Sequence, residues 1–228
     1  MPTHPPPAPI PALRAALFDL DGTLADSDPL IAAAVVESCA HYGYRLTAEE
    51  VLPHIGPPMV VMLQQMLSIG PEWAETITGD YLERYRDRFM PRTPPLPGAE
   101  ALLDGLHARG VPMAVVTNKY EDAGRALVRR LGWERRFGVV VGHDTTGRGK
   151  PAPEPVLHAL GALGAAPNEA ALVGDSPADM GAGRAAGLRA VIGLAGRNSA
   201  AALGEAGATH VVGDLDAVAA LLAEARGA

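Results

Sequence analysis

Asp19 and Asp21 stand two positions apart at the end of the apolar run Ala16-Leu17-Phe18, immediately before Gly22-Thr23. Alternate residues of an extended chain point to the same side, so both carboxylates can face one pocket if the strand persists that far. Like charges that close raise each other's pKa unless a cation sits between them. Oxygen ligands suit a hard divalent ion, most naturally Mg2+. A calcium hand does not fit: its loop wants Gly at position six and Glu at twelve, whereas Gly22 is fourth from Asp19 and Leu30 is twelfth. Three later stretches carry complementary groups. Thr117-Asn118-Lys119 offers a hydroxyl and an amide able to hold a phosphoryl oxygen, with backbone N–H groups opening the next helix. Lys150 ends a loop of small residues with one ammonium, and Asp175 and Asp179 supply two further acids.

Taken singly, each stretch has a plainer role. Asp19 and Asp21 fit a polar turn, Thr117 and Asn118 a helix cap, Lys150 a solvated loop, and Asp175 and Asp179 caps for the helix 178–186. Their joint occurrence at the ends of successive apolar runs is what favours one shared site, because ligands of a parallel sheet bind outside the carboxyl ends of its strands.

The background sharpens the two lysines. Of 19 basic residues 17 are arginine, and only Lys119 and Lys150 are not. A compact ammonium enters a tight phosphate site that a guanidinium fork cannot. Formal net charge is −7, which argues against affinity for nucleic acid or an anionic membrane. Cys39 is alone, so no disulfide within the chain is possible and a reducing cytoplasm is expected. No apolar run reaches the roughly 18 residues of a bilayer span. The first eleven residues lack both a basic start and an apolar core, so no signal peptide is expected there. The stretch 1–12 reads as a disordered, Pro-rich tail.

The elements that must position these groups follow from periodicity. A first strand is expected over 13–18. Helical spacing then runs over 29–40 with Asp28 as its N-cap, from the capping box Thr47-Ala48-Glu49-Glu50 to Pro53 or Gly56, and over 59–67 and 71–89. The last carries a stripe of Trp73, Ile77, Tyr81, Leu82, Tyr85 and Phe89, read as core. The breaker-rich 90–98 returns the chain to strands at 112–116, 139–141, 170–173, 189–192 and 210–212, alternating with helices. This pattern predicts a Rossmann-like α/β fold, a parallel sheet with helices on both faces. An all-helical domain over 28–92 follows the first strand, with 13–27 and 93–228 forming the α/β core. His54-Ile55-Gly56-Pro57-Pro58 is either a substrate loop, Gly56 allowing close approach, or an ordinary interhelical turn.

Asp19-Leu20-Asp21-Gly22-Thr23, Thr117-Asn118-Lys119, Lys150-Pro151-Ala152-Pro153-Glu154-Pro155 and Gly174-Asp175-Ser176 with Asp179, in that order, resemble the four motifs of the haloacid dehalogenase superfamily. The helical block resembles the cap of its phosphoglycolate phosphatase-like branch, and the second and third motifs are most similar to phosphoglycolate phosphatases. The resemblance implies a Mg2+-dependent phosphomonoesterase. Asp19 would be the nucleophile forming an aspartyl-phosphate, and Asp21 the general acid and base. Mg2+ would be held by Asp19, the Asp21 carbonyl and Asp175, with Asp179 in direct or water-bridged support. Thr117, the Asn118 N–H and Lys150 would hold the phosphoryl oxygens, and Gly22, His54 and Gly56 would complete the substrate site. Lys119 either points at the substrate or begins the next helix. The absence of lysine from 28–92 speaks against relatives that form a Schiff base there.

The expected substrate is a small phosphorylated metabolite, first 2-phosphoglycolate, acted on by a monomer or homodimer. A phosphosugar mutase, pyrophosphatase or nucleotidase on the same scaffold is the alternative. A dehalogenase is disfavoured because its chemistry does not call for Asp21, and a catalytically dead binding module because every required side chain is present.

Overall fold

A computed structural model describes residues 9–11 and 13–227. Most of the stretch read as a disordered tail, 1–8 and 12, lies outside the described residues. Its described part is packed: Ile10 is buried and its N–H donates to the Leu221 carbonyl at 2.8 Å.

Six short strands, β1 (Ala15–Phe18), β2 (Met113–Val116), β3 (Val139–Val141), β4 (Ala170–Gly174), β5 (Ala190–Leu194) and β6 (His210–Val212), form one parallel sheet in the order β3-β2-β1-β4-β5-β6. Their apolar runs are continuous because both faces are covered. In β1, Ala16 and Phe18 join the cluster on one face while Ala15 and Leu17 join the other. In β4, Ala171 and Val173 alternate likewise with Ala170 and Leu172. One face packs on α5 (Ala99–Ala108), α6 (Glu121–Arg130) and α10 (Leu215–Leu221), the other on α7 (Glu154–Leu163) and α8 (Pro177–Ala185), with α9 (Ala200–Glu205) beside β5 and β6. Trp133, fully buried after α6, donates to Glu100 Oε1 of α5 at 2.7 Å and ties these helices together.

Between β1 and α5 the chain forms α1 (Asp28–His41), α2 (Ala48–Val51), α3 (Met59–Leu67) and α4 (Pro71–Arg84), with no strand among them. The capping box is present: Thr47 Oγ1 accepts from the Glu50 N–H while Glu50 Oε2 accepts from the Thr47 N–H. Ile31, Val35, Met62, Leu63, Ile77 and Tyr81 belong to the same apolar cluster as Phe18, Val115 and Val173, so this helical segment is packed onto the sheet's own core.

Two local expectations are corrected. Asp28 is the first residue of α1, not its cap. Ser27 holds the cap position, but its hydroxyl donates to Asp21 and makes no cap bond. The stripe on α4 is buried at Ile77, Tyr81, Tyr85 and Phe89, yet Trp73 is 42% exposed. It sits in the first turn of the helix, donating to Tyr44 Oη at 3.1 Å with its ring edge-on to Tyr42. After Arg84 the helix widens into a π-helical turn, Tyr85–Phe89, that resets the phase of the stripe, a feature often found beside functional sites.

Candidate active site

The chain leaves β1 toward β2 and β3 on one side and returns across it to β4, β5 and β6 on the other. The crevice at this reversal is where such sheets bind ligands. Phe18 lies level with Val173, and the Asp19 N–H donates to the Val173 carbonyl at 2.9 Å. The ladder therefore continues one residue past β1 and sets Asp19 beside the end of β4, which delivers Asp175. One carboxylate oxygen from each of Asp19, Asp175 and Asp179 lies within 4.8 Å of the others, all three residues being buried.

Lys150 neutralises part of this cluster. Its Nζ donates to the Val116 carbonyl at 2.6 Å and to Asp179 Oδ1 at 2.5 Å, and lies 2.8 Å from Asp19 Oδ1. All three ammonium protons thus have acceptors. Burial alone would lower its pKa, but Asp179 and Asp19 hold it above the ordinary value. Asp179 takes the capping role weighed for it, reciprocally with Ser176 on α8, and is also the counter-ion of Lys150, a partner the sequence did not indicate.

Burial raises the Asp19 carboxyl well above the usual range, opposed by Lys150 and reinforced by Asp179, Asp175 and Asp21. Burial likewise brings Asp175 up to about 7, with Arg197 opposing. Among the described residues, Asp19, Asp21, Asp28, Asp175 and Asp179 together face only Lys119, Lys150 and Arg197. This excess of buried carboxylate and the all-oxygen donor set fit a hard divalent cation.

The Asp21 carboxylate lies apart from that cluster. One oxygen accepts from the Ser27 hydroxyl and the other is 3.0 Å from Lys119 Nζ. Lys119 therefore reaches into the pocket, 4.5 Å from the centre of the Tyr85 ring. Burial opposes its charge, yet Asp21, Tyr85 and Tyr81 hold its pKa well above the ordinary value. Thr117 is buried on the pocket wall, its hydroxyl accepting from the Lys119 N–H at 3.2 Å. Asn118 turns its side chain elsewhere: Nδ2 donates to the carbonyls of Gly56 and Lys150 at 2.9 and 3.1 Å, and Oδ1 accepts from the Lys150 N–H at 2.8 Å.

The cavity enclosed by these groups is about 60 Å³, with Asp19, Asp21, Thr117, Lys119 and Lys150 at its base and Ile31, Met62, Tyr81, Leu82 and Tyr85 as apolar walls. Gly56, at φ +143°, lines it too. His54 does not. It is exposed on the turn Leu52–His54 and borders an outer cleft of about 650 Å³ with Val61 and Gln65. Gly22 does not line the cavity either. At φ +74° it leaves room for Asp175, whose Oδ2 would be 2.7 Å from a Cβ there.

Arg197 was not singled out by the sequence. It follows β5 at the same rim, its Nη2 2.7 Å from Asp175 Oδ2 and its Nη1 3.3 Å from Asp28 Oδ2 and 2.9 Å from the Ile55 carbonyl. Its place just past a strand's carboxyl end was the available signal.

Residues 16–192 match the family model for haloacid dehalogenase-like hydrolases. The chain is 37% identical over 180 residues to the candidate pyrophosphatase PpaX of Caldanaerobacter subterraneus, covering 78% of this chain and 80% of that one. It is 35% identical over 187 residues to a phosphoglycolate phosphatase of Chromobacterium violaceum, covering 78% and 84%. The crystal structure of a hydrolase from Pseudomonas syringae superposes with a TM-score of 0.79 at 28% identity, over 92% of this chain and 96% of that one. With four motif-bearing loops converging on one crevice and the family match spanning all of them, the chain belongs to the haloacid dehalogenase-like hydrolases.

Proposed function

We propose that this protein is a Mg2+-dependent phosphomonoesterase for a small anionic metabolite, with 2-phosphoglycolate as its first substrate. The observation that carries this reading is the buried set of Asp19, Lys150 and Asp175, of which Asp19 and Lys150 line a cavity of about 60 Å³. Such a space has room for a phosphoryl group beside Asp19 and Lys150.

In this reading an Asp19 oxygen attacks phosphorus in line as the bond to the leaving oxygen breaks, and Asp21 gives that oxygen its proton. Asp21 then takes a proton from a water that attacks the aspartyl-phosphate, releasing inorganic phosphate and regenerating the Asp19 carboxylate. Thr117 donates to a phosphoryl oxygen, and the Lys150 charge beside Asp19 offsets the negative charge that the loose transition state spreads over those oxygens. Asp19, Asp175 and the Asp21 carbonyl, with Asp179 behind them, would hold the Mg2+. Bound there, it supplies Lewis-acid stabilisation of the phosphoryl charge. Lys119 meets the far, anionic end of the substrate. The helical segment 28–92 serves as a cap that shapes this end and excludes water.

A second substrate, pyrophosphate, is favoured by the relative named as a pyrophosphatase and by the second ammonium, that of Lys119, in the cavity lining. A phosphate-release screen over 2-phosphoglycolate, pyrophosphate, nucleotides and sugar phosphates ranks them by kcat/KM. Highest values for the first two, lost by several orders of magnitude in Asp19→Asn, are the expected result. Wild-type activity in that variant, or indifference to EDTA, overturns the reading. The lone, buried Cys39 is consistent with a cytoplasmic setting, and sedimentation distinguishes a monomer from a homodimer.

A further inference from the structure

Two consecutive carbonyls of the helical segment are held by side chains from the α/β core. The Ile55 carbonyl accepts from Arg197 Nη1 and the Gly56 carbonyl from Asn118 Nδ2, each at 2.9 Å. Gly56, at φ +143°, lies in a region that side-chain-bearing residues rarely adopt, and it sits between prolines that restrict the rest of the turn. Neither donor is a free surface group. Asn118 also binds the backbone of Lys150 through both its amide atoms, and Arg197 also holds Asp175 and Asp28. Asp28 opens α1, so one guanidinium grips the helical segment at its first residue and again at its loop, while its other arm is on the acid cluster.

We infer that Arg197 is a positioning residue which, with Asn118, latches the 55–58 loop over the cavity and couples that closed arrangement to the placement of Asp175 and Lys150. This rests on the phosphatase reading above for what the closed cavity encloses, but the latch itself is a property of the fold. The acceptors of Arg197 are divided between two nitrogens, Nη1 on the Ile55 carbonyl and Asp28 and Nη2 on Asp175, a spread that the single Nζ of a lysine at 197 does not reproduce. Asp19 and the Lys150 ammonium are held independently of the loop, by the Val173 and Val116 carbonyls and by Asp179. Loss of the latch is therefore felt first in substrate capture, and only second in the chemical step.

The test compares wild type with Arg197→Ala and Arg197→Lys in two ways. Hydrogen exchange of the His54, Ile55 and Gly56 amides, followed without substrate, is expected to quicken at least about tenfold in both variants while β1 and β4 keep their protection. In steady-state assays KM for 2-phosphoglycolate is expected to rise about tenfold or more with kcat within about threefold. The bulkier p-nitrophenyl phosphate, which depends less on the loop being held down, is expected to lose at least about tenfold less kcat/KM than the small substrate. Unchanged exchange at 54–56, or equal losses on the two substrates, overturns the latch. Arg197→Gln stands in should Arg197→Ala not fold. Failure of the wild type to release phosphate from any ester sinks the phosphatase reading alone, since the exchange comparison needs no substrate.

Discussion

Lys150 and Asp179 form a buried ion pair, Nζ to Oδ1 at 2.5 Å, with side chains 2% and 0% exposed. The pair is not isolated. The same ammonium serves Asp19, and the other Asp179 oxygen accepts from the Ser176 N–H and hydroxyl. Positive charge beside Asp19 is thus fixed by the fold itself, through the cap of α8.

Removing that ammonium leaves two buried carboxylates facing each other. Lys150→Ala is expected to cost about 3–5 kcal/mol of stability in metal-free buffer, the usual consequence of breaking a buried pair from one side. Phosphate release should fall by about 10²-fold or more, as for loss of a positioned electrophilic group. Lys150→Arg should recover little, because three acceptors within 2.8 Å surround one compact ammonium. Urea melts at neutral pH alongside initial rates check both effects; an alanine variant as stable as wild type contradicts the buried pair.

The acid cluster makes stability depend on pH in an unusual sense. The Asp175 carboxyl, raised mainly by burial to about 7, keeps its proton in the folded protein at pH values where the unfolded chain has lost it. The folded state then binds more protons than the unfolded one, so stability falls as pH rises from about 4 to about 7, and the deficit is fully present above that. Asp19, raised in the same direction, adds to it. A divalent cation binds the ionised carboxylates and offsets the deficit. Saturating MgCl2 should therefore raise Tm more at about pH 8 than at about pH 5. At a hundredfold excess over Kd the gain is about 2.7 kcal/mol, or roughly 5–10 °C for a chain of this size. Calorimetric scans with MgCl2 and with EDTA at the two pH values measure it, and an equal shift at both counts against the cluster as the binding site.

Lys119 pairs with Asp21 under the Tyr85 ring, and the binding and proton-transfer roles proposed for the two can be tested apart. Asp21→Asn should lower kcat by about 10²–10⁴-fold, the range of a lost general acid and base. Lys119→Met should act mostly on KM for substrates with a second anionic group. It should act much less on p-nitrophenyl phosphate, which has none. Steady-state constants for both esters decide this, and equal losses on the two mean that Lys119 serves Asp21 alone.

The motif-bearing acids were legible because strand ends carry their own punctuation. An apolar run closed by Asp-x-Asp-Gly-Thr, or by Gly-Asp-Ser, marks both the element and the rim at which it stops. Lys119 and Lys150 were legible against a background that otherwise uses arginine. Arg197 was hidden by that same background, being one of 17 arginines, and its partners Ile55 and Asp28 lie far off in sequence. Asp28 was misassigned as the cap of α1, and Ser27 passed over, for a related reason. Local capping preference favours both, but Ser27 gives its hydroxyl to Asp21, and Asp28 its carboxylate to Arg197. His54 entered as part of a candidate loop marked by Gly56 and its prolines, and nothing in such a turn says which of its side chains face the cavity: Gly56 lines it and His54 does not.

Gly22 offers the sharpest separation of a steric role from a contact with substrate. Its φ of +74° costs a residue with a Cβ about 1–2 kcal/mol, and the added carbon would sit 2.7 Å from Asp175 Oδ2 and 3.3 Å from Asp28 Oδ2. Asp175 cannot retreat easily, since Arg197 holds that same oxygen and Asn198 Nδ2 holds its backbone carbonyl at 2.9 Å. Gly22→Ala should therefore lower stability by about 1–3 kcal/mol. It should also weaken Mg2+ binding severalfold, with substrate KM at saturating metal little changed. Calorimetric Mg2+ titration beside KM at saturating Mg2+ distinguishes the two roles: if KM rises while Mg2+ affinity stays put, Gly22 touches substrate and its clearance for Asp175 is incidental.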